Sequence, residues 1–591
     1  MNTEQTWRYN VLGSLFALMA MLITARMVRI QTNPQAVDLF TKARSYYEGE
    51  WHTFYPARGQ VFDRWGQLLA GNTMVYEVGV ELESLKNPHT VALTLNVVLG
   101  LDYASTLQEI SQPASANAVY VVLDDNVPQD KIEQLEKFQT NIELSYNDAR
   151  GKDIPSLDGL IWRAHFQRTY PEKALASNIL GFVGRDEDGK IKGYFGIEAK
   201  FDDLLAGEPV TVWVPRDPNR VAETPEIPDG ASLVLTIDRE IQVNMEAILD
   251  ETLEESGAES GTIVVLDPRS GEVLAMATTP RLDLNRYWDY GEVFKKDTPF
   301  NRAVSQAYEP GSVYKVLTMA AALDKGAVKP DTVFLDTGVF EIGGIYIYNW
   351  NSGAWGPQDM QGCMQHSLNV CLAWVASQLG ARDFYAYMRA FGIGHLTGID
   401  LAGEMPGRLK VPGDADWYDS DLGTNAFGQG VSATPLQMAV AAAALANDGK
   451  MMAPRIVRSM VKDGRQYNTS PRLIGMPIKA ETARTLSELL TRSLEDEAST
   501  ALVDGYRIAG KTGTAEIPTP YGYTSNLTNA SFVGWGPVDD PRFLVYIWLE
   551  KPQSSMWGSE VAAPVFREVV EHLVVLMNIP PDDVRHSLYG Q

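Results

Sequence analysis

Between Arg8 and Arg26 the chain runs YNVLGSLFALMAMLITA, Tyr9 to Ala25, 17 residues without a charge. A helix of about 20 mostly apolar residues crosses the hydrocarbon core of a bilayer, so this run is a short candidate span. A cleaved signal peptide and a buried core helix are the competing readings, but no convincing small-x-small cleavage site follows the run. Every other segment is too polar to span. The expected plan is therefore one anchor carrying a large soluble body on one side of a membrane. Arg8 precedes the run and Arg26 and Arg29 follow it, which taken literally reads as C-terminus inside. Charge counting alone leaves the orientation open.

The body has room for two to four domains of about 150 residues, because the chain is 591 residues long. With 50 Lys and Arg against 75 Asp and Glu, the formal charge of −25 has the wrong sign for binding phosphate backbones, and no nucleic-acid partner is expected. Two cysteines, Cys363 and Cys371, supply neither a disulfide framework nor a zinc cluster, and the seven histidines hold no His-x-x-x-His pair. No metal site is read. The two cysteines lie eight apart in an apparently continuous helix, where a disulfide is not expected, and they are read as buried thiols.

Residues 1–8 are expected as a cytoplasmic tail, 9–25 as the transmembrane helix and 26–50 as a juxtamembrane stalk. Arg58 to Asn72 (RGQVFDRWGQLLAGN) reads as strand, turn, strand. Short strands and helices alternate to about 165, with one clear helix at Gln129 to Phe138. Two further segments, RTYPEKALASNILGFVG (Arg168 to Gly184) and GYFGIEAKFDDLLAGE (Gly193 to Glu208), close this module. Val214 to Gly230 is polar, holds four prolines and is the best boundary in the chain. The first module is set at 51–228 and the second at 229–580, with a tail at 581–591. In the second, a strand leads into a long amphipathic helix, a hairpin turns at Asp267-Pro-Arg-Ser-Gly271, and terminal strands precede a helix over Ala562 to Met577. That pattern describes an antiparallel sheet flanked by helices, in a multidomain α+β or α/β chain.

Three short motifs can carry chemistry. Ser312-Val-Tyr-Lys315 follows a Pro-Gly break and opens a helix, which puts Ser312 at the positive end and Lys315 on the same face. A serine hydroxyl needs a neighbouring base, and a lysine with a depressed pKa can serve. Ser367-Leu-Asn369 lies where a helix begins, and the bland reading of Ser367 is an N-cap. Lys511-Thr512-Gly513-Thr514 lies on a strand whose glycine lets a substrate backbone approach, with a lysine that can hold a carboxylate. Ser459-Met-Val-Lys462 and Ser115-Ala-Asn117 match the looser patterns too, but Ser459 sits in a strand and Ser115 precedes the helix that should come before it. The ordered set S-x-x-K, S-x-N, K-T-G is shared by penicillin-binding proteins and class A β-lactamases.

With these motifs in place the chain resembles a class B penicillin-binding protein, a membrane-anchored peptidoglycan D,D-transpeptidase. The resemblance runs from the anchor to about residue 580, through RGQVFDRWGQLLA, RTYPEKALASNILGFVG and GYFGIEAKFDDLL in the first module and AYEPGSVYK, SLN, AFGQGVSATPLQ and KTGTAE in the second. The usual Asp-Arg-Asn-Gly is here Asp63-Arg64-Trp65-Gly66, a departure in scaffold. The resemblance implies an elongated pedestal of the dimerisation type, a penicillin-binding transpeptidase domain, a cytoplasmic N-terminus and an external body. It implies Ser312 as the acylated nucleophile, Lys315 as its base, and Ser367 and Asn369 as proton relay and donor-peptide contacts. Lys511 and Thr512 would orient the terminal carboxylate beside Gly513 and Thr514, and the backbone N–H groups of Ser312 and Thr514 would form the oxyanion hole. It implies no cofactor or metal. The implied partners are D-Ala-D-Ala stem peptides as donors, amines as acceptors, β-lactams, a SEDS-family glycosyltransferase, other divisome membrane proteins, and the lipid bilayer through one helix.

The stretches AFGIGHLTGIDLAGEMPGRL and NAFGQGVSATPLQ look more like the septal than the elongation type. A class A β-lactamase would carry E-x-x-L-N, which Glu404-Met-Pro-Gly-Arg408 does not fit. The remaining alternatives are an elongation-specific transpeptidase, a D,D-carboxypeptidase that uses water in place of the amine, and a silent scaffold or β-lactam sensor.

Overall fold

A computed structural model describes residues 3–34, 37, 50–113, 119–146, 154–187, 189–214, 227–496, 499–519 and 522–589. The loose match at Ser115 and Asn117, and most of the boundary at 214–230, lie outside these residues. The chain divides into two units, Met1–Ala57 with Gly207–Asp229, and Arg58–Ala206 with Gly230–Gln591.

In the first unit helix α1 runs Thr3–Thr32. Its apolar part, Trp7–Thr32, is long enough to cross a membrane and extends past the arginines that bracket the charge-free run. Strands Glu50–Phe54 and Val210–Val214 pair antiparallel, with Trp51 edge-on to Trp213 at 5.5 Å between ring centroids.

The second unit contains a mixed sheet that takes strands from both sides of residue 228. It uses β1 (Val61–Phe62), β2 (Leu68–Glu81), β3 (Tyr120–Pro128), β4 (Leu160–Thr169) and β5 (Ser232–Leu235). Strand β1 pairs antiparallel with β2 and parallel with β5, so the expected strand, turn, strand at 58–72 is built directly onto the later strand. Helices α2 (Pro88–Leu99) and α3 (Gln129–Tyr146) cover β2 with Val91, Leu95, Ile132 and Leu135. Helix α3 runs eight residues beyond the expected Phe138 end, because no Gly or Pro interrupts the pattern before Tyr146.

The three segments singled out in the first module converge on one buried carboxylate. Glu198 accepts from Arg58 Nε and Arg168 Nε, each at 2.7 Å, and from the Tyr170 hydroxyl at 3.3 Å. Arg58 also reaches Asp202 at 2.8 Å. Glu198 is fully buried, and the two guanidinium groups replace the hydration its carboxylate oxygens lose.

Helix α4 (Arg239–Ser256) then leads to a five-stranded antiparallel sheet. Its members are β6 (Ser260–Leu266), β7 (Val273–Thr278), and, after the pair β8 (Val457–Lys462) and β9 (Arg465–Asn468) that extends the mixed sheet, β10 (Ala509–Thr519), β11 (Gly522–Gly536) and β12 (Phe543–Glu550), in the order β7-β6-β12-β11-β10. Strand β12 shows why helices cover both faces. Leu544, Tyr546 and Trp548 point into one core, while Phe543, Val545, Ile547 and Leu549 point into the other. The second core is closed by α4 and the helix Ala563–Leu576. The first holds helix Pro435–Ala446, which is buried all round and starts at a capping box in which Thr434 and Gln437 bond each other's backbone N–H groups. Strand β10 lies at the sheet edge, which leaves one side of its backbone open to the helical half.

Candidate active site

Ser312 sits in a 3-10 turn, Gly311–Tyr314, that continues into helix α5, Lys315–Lys325. Gly311 has φ 60°, and its N–H donates to the Gly428 carbonyl at 3.1 Å. A Cβ at Gly311 would stand 2.7 Å from Ala515 Cβ and 2.8 Å from the Thr514 carbonyl oxygen, so only glycine lets this turn reach the edge of β10. On the other side a Cβ at Gly513 would meet Val313 Cγ1 at 2.8 Å. The turn bearing Ser312 and the strand bearing Lys511 are thus in backbone contact. The Thr514 carbonyl faces the turn, and in an antiparallel strand the N–H of the same residue points the same way. The Ser312 hydroxyl makes no hydrogen bond among the described residues.

Lys315 is fully buried, and its Nζ lies 2.6 Å from the Ser367 carbonyl oxygen, 2.8 Å from Asn369 Oδ1 and 3.1 Å from Ser367 Oγ. Burial, reinforced by the nearby Lys511 charge, pushes the Lys315 ammonium well below the usual lysine range. Nζ donates to all three oxygens, the carbonyl and hydroxyl of Ser367 and Oδ1 of Asn369.

Ser367 does not cap the following helix. Helix α6, Met360–Gln365, ends in a Schellman turn, in which the Ser367 N–H donates to the Met364 carbonyl at 3.2 Å and the Leu368 N–H to the Cys363 carbonyl at 3.0 Å. Ser367 holds the left-handed position of that turn, φ 52°, where glycine is usual. The N-cap of the next helix, α7 (Asn369–Leu379), is Leu368. This break corrects the expectation for the cysteines. Cys363 and Cys371 form a disulfide with Cα atoms 6.0 Å apart. Two thiols eight apart on a straight helix would be about 12 Å apart, but they lie on two helices folded back across the Ser367 turn.

Lys511 is buried, and its Nζ lies 3.3 Å from both the carbonyl oxygen and the hydroxyl of Thr512. The Thr514 hydroxyl oxygen accepts from the Gly558 N–H at 3.0 Å, which leaves its O–H proton free to donate. A Cβ at Gly558 would fall 2.1 Å from the Gly513 carbonyl oxygen. The sequence reading missed this glycine, 44 residues downstream of Thr514 in chain order. It also missed Glu309, whose carboxylate accepts from the Gly430 N–H at 3.0 Å and from the Tyr523 hydroxyl at 3.0 and 3.2 Å. Glu309 thereby ties the lead-in to Ser312 to the loop at Gly430 and to the start of β11. Burial pushes its carboxyl upward.

All the motif residues named from the sequence therefore fall in one neighbourhood, with Ser312, Lys315, Ser367 and Asn369 on the helical side and Lys511 to Thr514 on the sheet edge. Ser459 lies in β8, is buried, and accepts from Gln466 Nε2 at 3.2 Å, in keeping with its reading as a strand residue.

Comparison with known proteins gives two family matches, the penicillin binding protein transpeptidase domain over residues 261–571 and the penicillin-binding protein dimerisation domain over residues 53–224. The chain is 30% identical over 547 residues to stage V sporulation protein D of Bacillus subtilis, covering 89% of this chain and 79% of that protein. It is 27% identical over 596 residues to a probable peptidoglycan D,D-transpeptidase of Pseudomonas aeruginosa, covering 99% of this chain and 98% of that one. Among solved structures, penicillin-binding protein 3 of Mycobacterium tuberculosis complexed with aztreonam matches with a TM-score of 0.66 at 26% identity, over 90% of this chain and 98% of that chain.

Proposed function

The chain belongs to the class B penicillin-binding proteins, and on that premise we propose that it is a serine D,D-transpeptidase that cross-links peptidoglycan stem peptides through an acyl-enzyme on Ser312. The observation that carries this reading is the buried Lys315 amine, held by Ser367 and Asn369 one helical turn from Ser312 and facing a strand edge that bears Lys511.

In the first half-reaction Ser312 Oγ attacks the penultimate D-Ala carbonyl of a donor stem. Lys315 takes the hydroxyl proton as general base. The developing oxyanion receives the Ser312 and Thr514 N–H groups, a contact supported by the open edge of β10. The Ser367 hydroxyl, in reach of Lys315 Nζ, passes the proton to the departing D-Ala nitrogen, and the C–N bond breaks. The Lys511 ammonium, with the Thr512 and Thr514 hydroxyls beside Gly513, orients the terminal carboxylate, and Asn369 holds the donor amide. In the second half-reaction an amine from a neighbouring stem attacks the ester, returns a proton through the same groups and releases Ser312. β-Lactams enter as donors whose leaving group stays tethered.

In the same reading residues 51–228 are a pedestal and 229–580 the transpeptidase domain. Helix α1 is a single-pass anchor with its N-terminus cytoplasmic and the catalytic body outside. The role is septal, supported by the segments around Gly394 and Gly428, and the pedestal serves a SEDS-family glycosyltransferase among divisome membrane proteins. The test is incubation of the full chain in detergent with a donor ending in D-Ala-D-Ala and an amine acceptor. A cross-linked product with one D-Ala released per link supports the reading, whereas D-Ala release without cross-links identifies a carboxypeptidase.

A further inference from the structure

The Cys363–Cys371 disulfide closes the one turn on which Lys315 depends. Cys363 lies in the last turn of α6 and Cys371 in the first turn of α7. Cys363 is anchored twice, its carbonyl accepting the Leu368 N–H and its sulfur bonded to Cys371. All three oxygen atoms around Lys315 Nζ, the carbonyl and hydroxyl of Ser367 and Oδ1 of Asn369, lie on the residues enclosed between the two cysteines. The helices do not need the bond to stay in place. Met360 and Met364 of α6 and Val370, Leu372, Val375 and Ala376 of α7 are packed in the main core. The turn between them is held by the buried Leu368 and by His366 stacked on Trp355, yet at its centre a serine holds a left-handed backbone that glycine adopts more readily. A covalent tie across the turn restrains it from relaxing and carrying its three oxygens away from Nζ.

Taking the transpeptidase reading as given, we propose that the Cys363–Cys371 disulfide is a positioning cross-link for the reaction, and that its reduction by a dithiol converts the site to a slower form. One sulfur of the dithiol attacks a cysteine sulfur and expels the other cysteine as a thiolate. The second dithiol sulfur then displaces the first cysteine and closes a cyclic disulfide. Two electrons and two protons pass from the dithiol to the cysteines, and exchange with an excess of the oxidised, cyclic disulfide form of the dithiol returns them and reverses the change. Both cysteines are 0% exposed, so the exchange requires local opening of the turn.

The test uses the full chain in detergent micelles, with benzylpenicillin as acylating probe at a series of pH values. A partly reduced preparation reacts briefly with the probe, is denatured and has its free thiols alkylated. The intact mass of each molecule then reports both its redox state and its acylation. The expected result is that reduced molecules acylate at least tenfold more slowly than oxidised ones, with a displaced ascending limb of the pH profile, and that reoxidation restores the parent rate. Cys363→Ala/Cys371→Ala should reproduce the slow profile without response to dithiol. Equal rates and pH profiles for oxidised and reduced molecules overturn the proposal, and the mass-resolved comparison decides it even where the double variant does not fold. An oxidised parent that forms no Ser312 adduct overturns the transpeptidase reading, a failure the redox comparison cannot produce on its own.

Discussion

The carbonyl oxygen of Ser367 lies 2.6 Å from Nζ of Lys315, and Ser367 presents it from a left-handed backbone at φ 52°. A non-glycine residue in that region costs about 1–3 kcal/mol and persists where its surroundings impose it. The site thus places at a Schellman turn a residue chosen for its hydroxyl.

Ser367→Gly is therefore expected to leave stability within about 1 kcal/mol of the parent, because relief of the left-handed backbone offsets the lost contact to Lys315. Ser367→Val, β-branched at the same φ, is expected to cost about 2 kcal/mol or more. Both variants should lose at least tenfold in acylation. Denaturant unfolding and penicillin acylation, measured on the same samples, separate the two effects.

Acylation should rise with pH as Lys315 loses its proton, and the ascending limb should lie well below the ordinary lysine pKa of about 10.4. Burial is the larger cause of the depression and the charge on Lys511 the second. Lys511→Ala removes a like charge, which makes the protonated form easier to hold. The limb should then move to higher pH, in addition to any loss of rate. A limb that stays in place or moves down would contradict the electrostatic coupling of the two lysines.

Glu198→Gln leaves the Arg58 and Arg168 guanidinium groups buried with a neutral partner, although Arg58 keeps Asp202. A loss of about 3–5 kcal/mol is expected in denaturant unfolding. Removing the whole cluster in favour of apolar side chains should cost less than this single change.

Tyr523→Phe deletes the hydroxyl through which Glu309 holds the start of β11. Hydrogen exchange should increase over 509–536, and acylation should fall a few-fold. Tyr523 lies 211 residues beyond Ser312 in the sequence, so the variant tests whether the edge strand must be clamped to the serine turn.

Much of this could be read from residues alone. The charge-free run at Tyr9–Ala25 marks the apolar helix α1, the Pro-Gly break marks the start of the Ser312 turn, and short runs rich in apolar strand formers mark β11 and β12, because each depends on local pattern. The Ser367 turn could not be read this way. In Gln365-His-Ser-Leu-Asn369 neither Gly nor Pro announces a helix end, so Cys363 and Cys371 look like two positions on one helix and their disulfide is hidden. Glu198 and Glu309 were hidden for a different reason. Their partners lie 140 residues away at Arg58 and 214 residues away at Tyr523, and only the tertiary fold brings them together.

The most direct measurement is the intact mass and peptide map of the full chain after incubation with benzylpenicillin, beside Ser312→Ala and Ser459→Ala. The account predicts one stable adduct per chain on Ser312, absent from Ser312→Ala and unchanged in Ser459→Ala. An adduct on another residue, or equal labelling of Ser312→Ala, would contradict it.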